Sequence, residues 1–271
     1  EHADAAVRGF IENSARGLRS SGRWLLITSL RHQGRLHDAL GIIAEERNDT
    51  RVGPDFPPFA LLMEAIIRYE QGDYVRSAAL YDSLVALVPG ERSEGSWSRN
   101  TVWNMTHAAN SHAAAGHLNL LAEMADSARS IGARSGYGRD QRLHHHIRGL
   151  LAAARGDYDT AVTEYRAALY SIAGGYSRTN VELARALIAT DRPAEAADVL
   201  DAPLRNGVLD SMQLYATRTE LHALLGEALL EAGQPDRARE HLDAALHALE
   251  NADASFAGTV AHLRALRERA G

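Results

Sequence analysis

The segment Leu143–Ile172 indicates two short helices folded against each other. Gly149 is a small residue in the first helix, and Gly156 marks the turn because glycine tolerates the positive φ at which helices end. The second helix has one face of small and aromatic residues at helical spacings: Ala161, Tyr165 and Ala168. One such hairpin cannot bury its apolar face alone, so it requires neighbours of the same kind.

The turn recurs along the whole chain. Aligned on Gly156, the equivalent turn residues are Gly34, Gly72, Gly116, Gly156, Asp191 and Gly233. They lie about 40 residues apart, so each unit is somewhat longer than the basic helical repeat of about 34 residues. We therefore predict six helical hairpins, at residues 20–51, 58–89, 102–133, 142–173, 177–208 and 219–250.

We predict a capping helix near each end of the chain. Residues 3–18 are amphipathic and predict a helix before the first hairpin. Residues 255–269 predict a closing helix with a charged outer face, and Asp253 or Ser255 would be its N-cap. The polar segment Pro89–Asn100 is predicted to be a loop between the second and third hairpins.

Composition excludes several kinds of chemistry. The chain has 271 residues, no Cys, and only Arg among its 29 basic residues. The absence of Cys and Lys removes thiolate nucleophiles, zinc–sulfur sites and lysine-based phosphate or Schiff-base chemistry. The net charge of −6 provides no global attraction for nucleic acid or an acidic membrane. A first residue other than Met suggests a fragment, and with no apolar segment of membrane-spanning length we expect a cytoplasmic protein.

The order of small residue, turn glycine, alanine, aromatic residue and alanine resembles the tetratricopeptide repeat (TPR) family over the whole chain. The resemblance implies an all-α, right-handed superhelix of about six hairpins with capping helices at both ends. It also implies a protein-binding scaffold without catalysis or cofactor. Three segments further resemble C-terminal TPR regions of large bacterial regulators, either transcriptional activators or Ser/Thr kinases: Arg139–Tyr158, Tyr176–Ala197 and Leu214–His241. The alternative is a helical bundle without repeats.

The resemblance also implies where a protein or peptide partner would bind. In TPR proteins the first helices of successive hairpins line a concave groove. Carried onto this chain by position, the groove residues are Trp24, Thr28, Arg31, Phe59, Leu62, Ile66, Tyr69, Trp103, Thr106, Asn110, His146, Leu150, Arg178 and Arg185. The aromatic members would be anchors if they are exposed. The alternative is that they contact the N-terminal helix or the next hairpin.

The charges of the predicted groove change sign towards its C-terminal end. Arg178 and Arg185 are followed, one hairpin later, by Glu220 and Glu227. We favour ion pairs between the two helices, which contribute about 0–1 kcal/mol when exposed. The alternative is an arginine clamp for a carboxylate of the partner.

The histidines do not form a recognisable site. His144, His145 and His146 are consecutive, so they point in three directions around a helix and cannot share one ion. No HExxH motif or catalytic constellation occurs, and we expect neither a metal nor a catalytic site. The remaining alternatives are a dispersed enzyme site and direct nucleic-acid binding, which the acidic balance disfavours, through a patch of Arg142, Arg148, Arg178 and Arg185.

Overall fold

The computed structural model describes residues 8–9, 11, 16–48, 56–87, 94–170, 176–205 and 216–271. These residues form thirteen α-helices and two 3-10 turns (Asp140–Arg142 and Ala254–Phe256), and no strand occurs among them. The helices are α1 Arg16–His32, α2 Leu36–Asn48, α3 Phe56–Glu70, α4 Tyr74–Ala86, α5 Glu94–Ala114, α6 Leu118–Gly132, α7 Leu143–Ala154, α8 Tyr158–Ala168, α9 Ser177–Ala189, α10 Pro193–Arg205, α11 Arg218–Glu231, α12 Pro235–Ala248 and α13 Ala257–Arg269.

The helices pair in sequence order into the six hairpins of a TPR-like superhelix, and α13 follows as the C-terminal cap. The turn residue of every hairpin has positive φ, from 58° at Asp191 to 80° at Gly116. The second turn shows the bonding that this conformation allows. The Gly72 N–H donates to Tyr69 O at 3.0 Å, and the Asp73 N–H donates to Arg68 O at 2.9 Å. The six predicted turns are therefore confirmed.

Small residues allow the two helices of a hairpin to pack closely. A Cβ added to Gly149 would lie 2.5 Å from the Tyr165 ring, and one added to Gly226 would lie 2.7 Å from Leu242. Tyr165 and Leu242 are fully buried. Overpacking such a site costs about 1–3 kcal/mol, so the small residue predicted at Gly149 has a packing role.

Two boundaries differ from the sequence predictions. Residues 16–32 form one helix, so no break separates the predicted N-terminal cap (residues 3–18) from the first hairpin. Most of that predicted cap lies outside the described residues. Glycine and serine near residue 20 lower helix propensity by up to about 1 kcal/mol each but, unlike proline, do not block a backbone hydrogen bond.

The second difference lies before the third hairpin. Residues 94–100, which we predicted to be part of a loop, are the first two turns of α5. Ser98 is buried, and its hydroxyl donates to Gly95 O at 3.1 Å. The Thr101 hydroxyl likewise donates to Trp97 O at 2.8 Å. Polar side chains that bond to the preceding turn satisfy their own hydrogen-bonding groups within the helix, so the polar composition was misleading.

Two apolar clusters lie along the superhelix. One is built mainly from α1–α4, and the other extends from α5 to the C-terminus. The half-buried side chains of Met124 and Phe256 pack against both clusters. Because Phe256 comes from the 3-10 turn before α13, the C-terminal end of the chain contacts the N-terminal core.

Hydrogen bonds join the first hairpin to the last. The Asp253 N–H donates to Gly34 O at 3.0 Å, and the His37 N–H donates to Asp253 Oδ2 at 2.8 Å. The Arg218 N–H donates to His32 Nδ1 at 3.0 Å, and the Thr219 hydroxyl donates to His32 O. We call this contact the seam; its residues are His32, Gly34, His37, Arg218, Thr219 and Asp253.

The seam changes the role of Asp253. We predicted that it caps the C-terminal helix, but its side chain makes no capping bond there. Its carboxylate instead accepts the His37 N–H in the first turn of α2, at the other end of the chain. The N-terminus of a helix offers unpaired N–H groups and a positive dipole, so a carboxylate stabilises it from any part of the sequence.

No helix in the described part of the chain is long and apolar enough to cross a membrane.

Candidate functional site

The predicted groove residues of the third hairpin lie inside the protein. Trp103 is only 7% exposed, and its indole Nε1 donates to Asp140 Oδ1 at 2.7 Å. The Trp103 ring also packs edge-on against Tyr176, with ring centres 5.5 Å apart. Trp103 is therefore not an exposed anchor, and it contacts residues that precede the fourth and fifth hairpins. The cause is long-range, because Asp140 precedes α7 and Tyr176 precedes α9.

A buried network of polar side chains surrounds Asn110. Its Nδ2 donates to the Tyr176 hydroxyl at 2.8 Å, and its Oδ1 lies 3.0 Å from His146 Nε2. The Tyr176 hydroxyl lies 3.2 Å from His107 Nδ1, and His146 Nδ1 lies 3.0 Å from the Thr179 hydroxyl. We call this set the inner junction; it connects α5, α7 and α9 and is made of His107, Asn110, His146, Tyr176 and Thr179.

Both histidines of the inner junction are neutral. Because His146 Nε2 faces the Asn110 amide oxygen, it carries the proton, and Nδ1 accepts from Thr179. Burial, with Arg178 nearby, lowers the pKa of His146 to about 3. Burial likewise lowers the pKa of His107 to about 3. His146 was predicted to line the groove, and its side chain is instead fully buried.

The charged residues of the predicted groove neutralise one another. Arg178 makes two hydrogen bonds to Glu220, at 2.6 and 2.9 Å, and its guanidinium lies 5.3 Å from the centre of the Tyr69 ring. Arg185 pairs with Glu220 at 3.1 Å. Burial acts to raise the pKa of Glu220, but Arg178 and Arg185 hold it below its usual value. The favoured prediction of ion pairs between these two helices, α9 and α11, is confirmed for Glu220. Glu227 is not part of these pairs, and its Oε2 lies 4.0 Å from His262 Nε2.

An open cavity of about 430 Å³ remains between α3, α9, α11 and α13. Four predicted groove residues line it: Arg31, Tyr69, Arg178 and Arg185. Arg31 is paired with Glu70, whereas the Arg185 side chain is about half exposed. Glu227, Phe256 and His262 complete the wall from the C-terminal helices. The cavity therefore offers charges of both signs beside aromatic rings, at those predicted groove residues that remain accessible.

The other predicted groove residues lie away from this cavity. Trp24 and Leu62 are partly buried against the N-terminal apolar cluster. Thr28 is buried, and its hydroxyl donates to Trp24 O at 2.7 Å. The side chain of Phe59 lies outside the described residues. The remaining three are buried: Ile66, Thr106 and Leu150.

Sequence reasoning missed two kinds of residue. His107 and Tyr176, which complete the inner junction, lie outside the family groove pattern, and no local signal in the sequence distinguishes them. Histidines also meet between the two helices of one hairpin, as at His222 and His241 in the sixth, where the Nδ1 atoms lie 2.9 Å apart. No group of three or more potential ligands is placed to hold a metal ion within the residues that the structure describes.

Comparison with known proteins agrees with this architecture. Models of the tetratricopeptide repeat match residues 152–211 and residues 219–244. No curated protein matches the sequence.

The similar solved structures have low sequence identity to this chain, and the first of them shares its fold. A tetratricopeptide repeat protein from Parabacteroides merdae is 14% identical, with a TM-score of 0.51, over 99% of this chain and 91% of its own. BtubC from P. vanneervenii is 15% identical, with a TM-score of 0.46, over 81% and 90%. The TPR2AB domain of yeast Sti1, solved in complex with pHSP90, is 13% identical, with a TM-score of 0.36, over 94% and 99%. The two model matches and the fold shared with the Parabacteroides merdae protein, taken with the six hairpins and their turns, support a tetratricopeptide repeat architecture for this chain.

Proposed function

We propose that the protein is a non-catalytic interaction module that binds an extended peptide or a helix of a partner protein. TPR proteins generally serve as protein-binding scaffolds, which supports the proposal. The single observation that carries it is the open cavity at which four predicted groove residues converge, Arg31, Tyr69, Arg178 and Arg185. Ligand sites in proteins are concave, with few polar groups that fix orientation beside apolar surface.

The cavity also indicates how a peptide would be held. Tyr69 and Phe256 offer aromatic surface, while Arg185 is accessible and is held by Glu182 at 2.9 Å and Glu220 at 3.1 Å. A carboxylate of the partner would share the guanidinium of Arg185, and a basic side chain would approach Glu227. The partner segment would therefore carry charges of both signs. A role within a larger bacterial regulator is part of this proposal and is supported by the sequence resemblance alone.

Direct nucleic-acid binding has less support. Of the four arginines that suggested it, Arg178 and Arg185 are paired with Glu220, and Arg148 pairs with Asp126 at 3.4 Å. These carboxylates offset the charge of the arginines, which lowers their attraction for a polyanionic phosphate backbone. Only Arg142 lies apart from these ion pairs, so we do not propose nucleic acid as the ligand of the inner face.

Peptide selection tests the proposal. A random peptide library would be selected on the immobilised protein, and the affinity of enriched peptides would be measured by isothermal titration calorimetry. We expect Arg185→Ala to weaken binding by about tenfold or more, as expected for a charge-assisted hydrogen bond. The matched control is Arg192→Ala, which removes an exposed arginine from the turn between α9 and α10. No enrichment, or equal effects of the two changes, would contradict the proposal.

A further inference from the structure

Arginines and exposed tyrosines meet at one edge of the array. Tyr137 is 52% exposed and Tyr170 is 61% exposed, which makes them two of the largest exposed rings in the described residues. Three arginines lie beside them: Arg99 in α5, Arg139 in the connection between α6 and α7, and Arg142 at the start of α7. We call these five residues the edge patch.

The guanidinium groups of the edge patch lie over aromatic rings. The Arg99 guanidinium carbon lies 4.6 Å from the centre of the Tyr137 ring, and that of Arg139 lies 5.6 Å from it. The Arg142 guanidinium lies 5.8 Å from the Tyr170 ring centre. Gly138 allows the Tyr170 ring to approach the segment that carries Tyr137 and Arg139, because a Cβ at residue 138 would lie 3.0 Å from that ring. These cation–π contacts favour the observed positions of the guanidinium groups, so less rotamer freedom is lost when they bind.

The edge patch retains its positive charge, unlike the inner cavity, where Arg178 and Arg185 pair with Glu220. Neither Arg99 nor Arg142 forms an ion pair with any described residue, and Arg142 donates to the Leu169 carbonyl at 3.2 Å. Arg139 lies 3.4 Å from Asp140 Oδ1. Asp140 is fully buried and already accepts from Trp103. The edge patch therefore carries an excess of positive charge on a chain whose net charge is −6.

The chemistry of the edge patch matches an acidic polypeptide. Arginine binds carboxylates through two parallel hydrogen bonds, and arginine and tyrosine are enriched among the residues that dominate binding energy at protein interfaces. Single-stranded nucleic acid requires a basic groove that follows the backbone and free ring faces for the bases. Two arginines already lie over Tyr137, which leaves less of its ring for stacking with a base.

We infer that the edge patch is a docking surface for an Asp/Glu-rich segment of a protein partner, separate from the inner cavity. The inference deepens the proposed function and rests on it, since both assign the protein to partner binding. The two surfaces use different arginines, Arg185 in the cavity and Arg99 and Arg142 at the edge. Variants of these residues therefore distinguish a failure of the proposed function from a failure of the edge-patch inference.

Fluorescence anisotropy with defined probes tests the edge patch. The first probe is a labelled decapeptide of alternating Glu and Asp, the second is its Gln/Asn counterpart, and the third is a labelled ten-nucleotide oligothymidylate. We expect the wild-type protein to bind the acidic peptide at low salt and to bind the amide peptide at least about tenfold more weakly, because the amide lacks the charge-assisted bonds. Tighter binding of the oligothymidylate than of the acidic peptide would overturn the inference in favour of nucleic acid.

Matched variants locate the binding surface. The double variant Arg99→Ala/Arg142→Ala should weaken binding of the acidic peptide by about tenfold or more. Arg166→Ala/Arg192→Ala removes the same charge from two arginines that pair with Glu195 on the outer surface, and it should change the affinity by less than about twofold. Equal losses in both would overturn the inference, as would the absence of binding by the wild type.

Two further variants separate docking from folding and from the cavity. Arg142→Glu changes a single exposed residue and should also weaken binding, so the result does not depend on the partly buried Arg99. Arg185→Ala, in the cavity, should weaken binding of the acidic peptide less than Arg99→Ala/Arg142→Ala does. A loss with Arg185→Ala alone would assign the acidic peptide to the inner cavity and contradict the edge patch.

Discussion

The inner junction and the seam are both polar contacts between hairpins, but they are built differently. At the inner junction, neutral side chains such as Asn110 and His146 bond to each other deep in the protein. At the seam, single side chains, His32 and Asp253, accept backbone N–H groups at the first turns of two helices. The inner junction is therefore part of the core, whereas the seam is a contact that could open while the hairpins remain folded.

Acid should produce the largest difference. His107 and His146 have folded pKa values of about 3, below the unfolded value of 6.5, so the stability that their neutral forms provide is complete above pH 6.5 and falls as the pH decreases towards 3. Each should contribute a loss of about 2 kcal/mol between pH 7 and pH 5. Urea unfolding at the two pH values measures the loss, and equal stability at both would contradict the neutral junction.

The seam should respond to acid in the same direction but more locally. Burial, with Arg31 and Arg218 nearby, lowers the pKa of His32 to about 4. Protonated His32 could not accept the Arg218 N–H, so the seam should weaken below pH 6.5. Comparing wild type with His146→Gln measures the share of one junction histidine, because this variant should lose about 2 kcal/mol of the pH dependence of unfolding and keep the parts due to His107 and His32.

Loss of Asn110 should be the next largest effect. Asn110→Leu leaves His146 Nε2 without its acceptor and removes the donor to the Tyr176 hydroxyl, which should cost about 3 kcal/mol. Asn104→Leu is the control, since Asn104 lies on the same helix and is partly exposed. Chemical denaturation at pH 7 measures both, and a junction variant as stable as its control would show that the network does not stabilise the fold.

The turn glycines provide a matched test of the seam. Gly34→Ala and Gly72→Ala both place a side chain at positive φ, at a cost of about 1–2 kcal/mol. Only at Gly34 would the new Cβ lie 2.8 Å from Ala252, on the far side of the seam, while nothing lies within 4 Å at Gly72. Gly34→Ala should therefore cost about 1–3 kcal/mol more. Equal thermal midpoints for the two variants would indicate that the seam is open in solution.

The smallest expected effect is at Asp253. Asp253→Ala removes the acceptor of the His37 N–H and should cost about 1 kcal/mol, although Asp253 and α2 lie at opposite ends of the chain. Asp157→Ala is the comparison, because Asp157 caps its own helix through the Thr160 N–H at 3.1 Å. Similar losses would show that a distant cap is as effective as a local one, whereas a neutral Asp253→Ala would weaken the case for the seam.

The sequence predicted those parts of the fold that depend on local interactions. The six turn residues and the small residue at Gly149 follow from conformational and packing requirements within one hairpin. The burial of Trp103 and the position of the Asp253 carboxylate depend on partners that are 37 and 216 residues away in sequence. No periodicity or motif specifies such pairs, so the accessible inner face could not be predicted from the groove pattern alone.

Amide hydrogen exchange at the seam tests most directly whether the first and last hairpins remain in contact. The amides of His37, Arg218 and Asp253 donate across the seam, and the first two lie in first helical turns, where no acceptor exists within the helix. Residue-resolved exchange by NMR should show all three at least about 100-fold slower than in an unfolded chain. Exchange of all three at unfolded-chain rates, with the helices otherwise protected, would contradict a closed array.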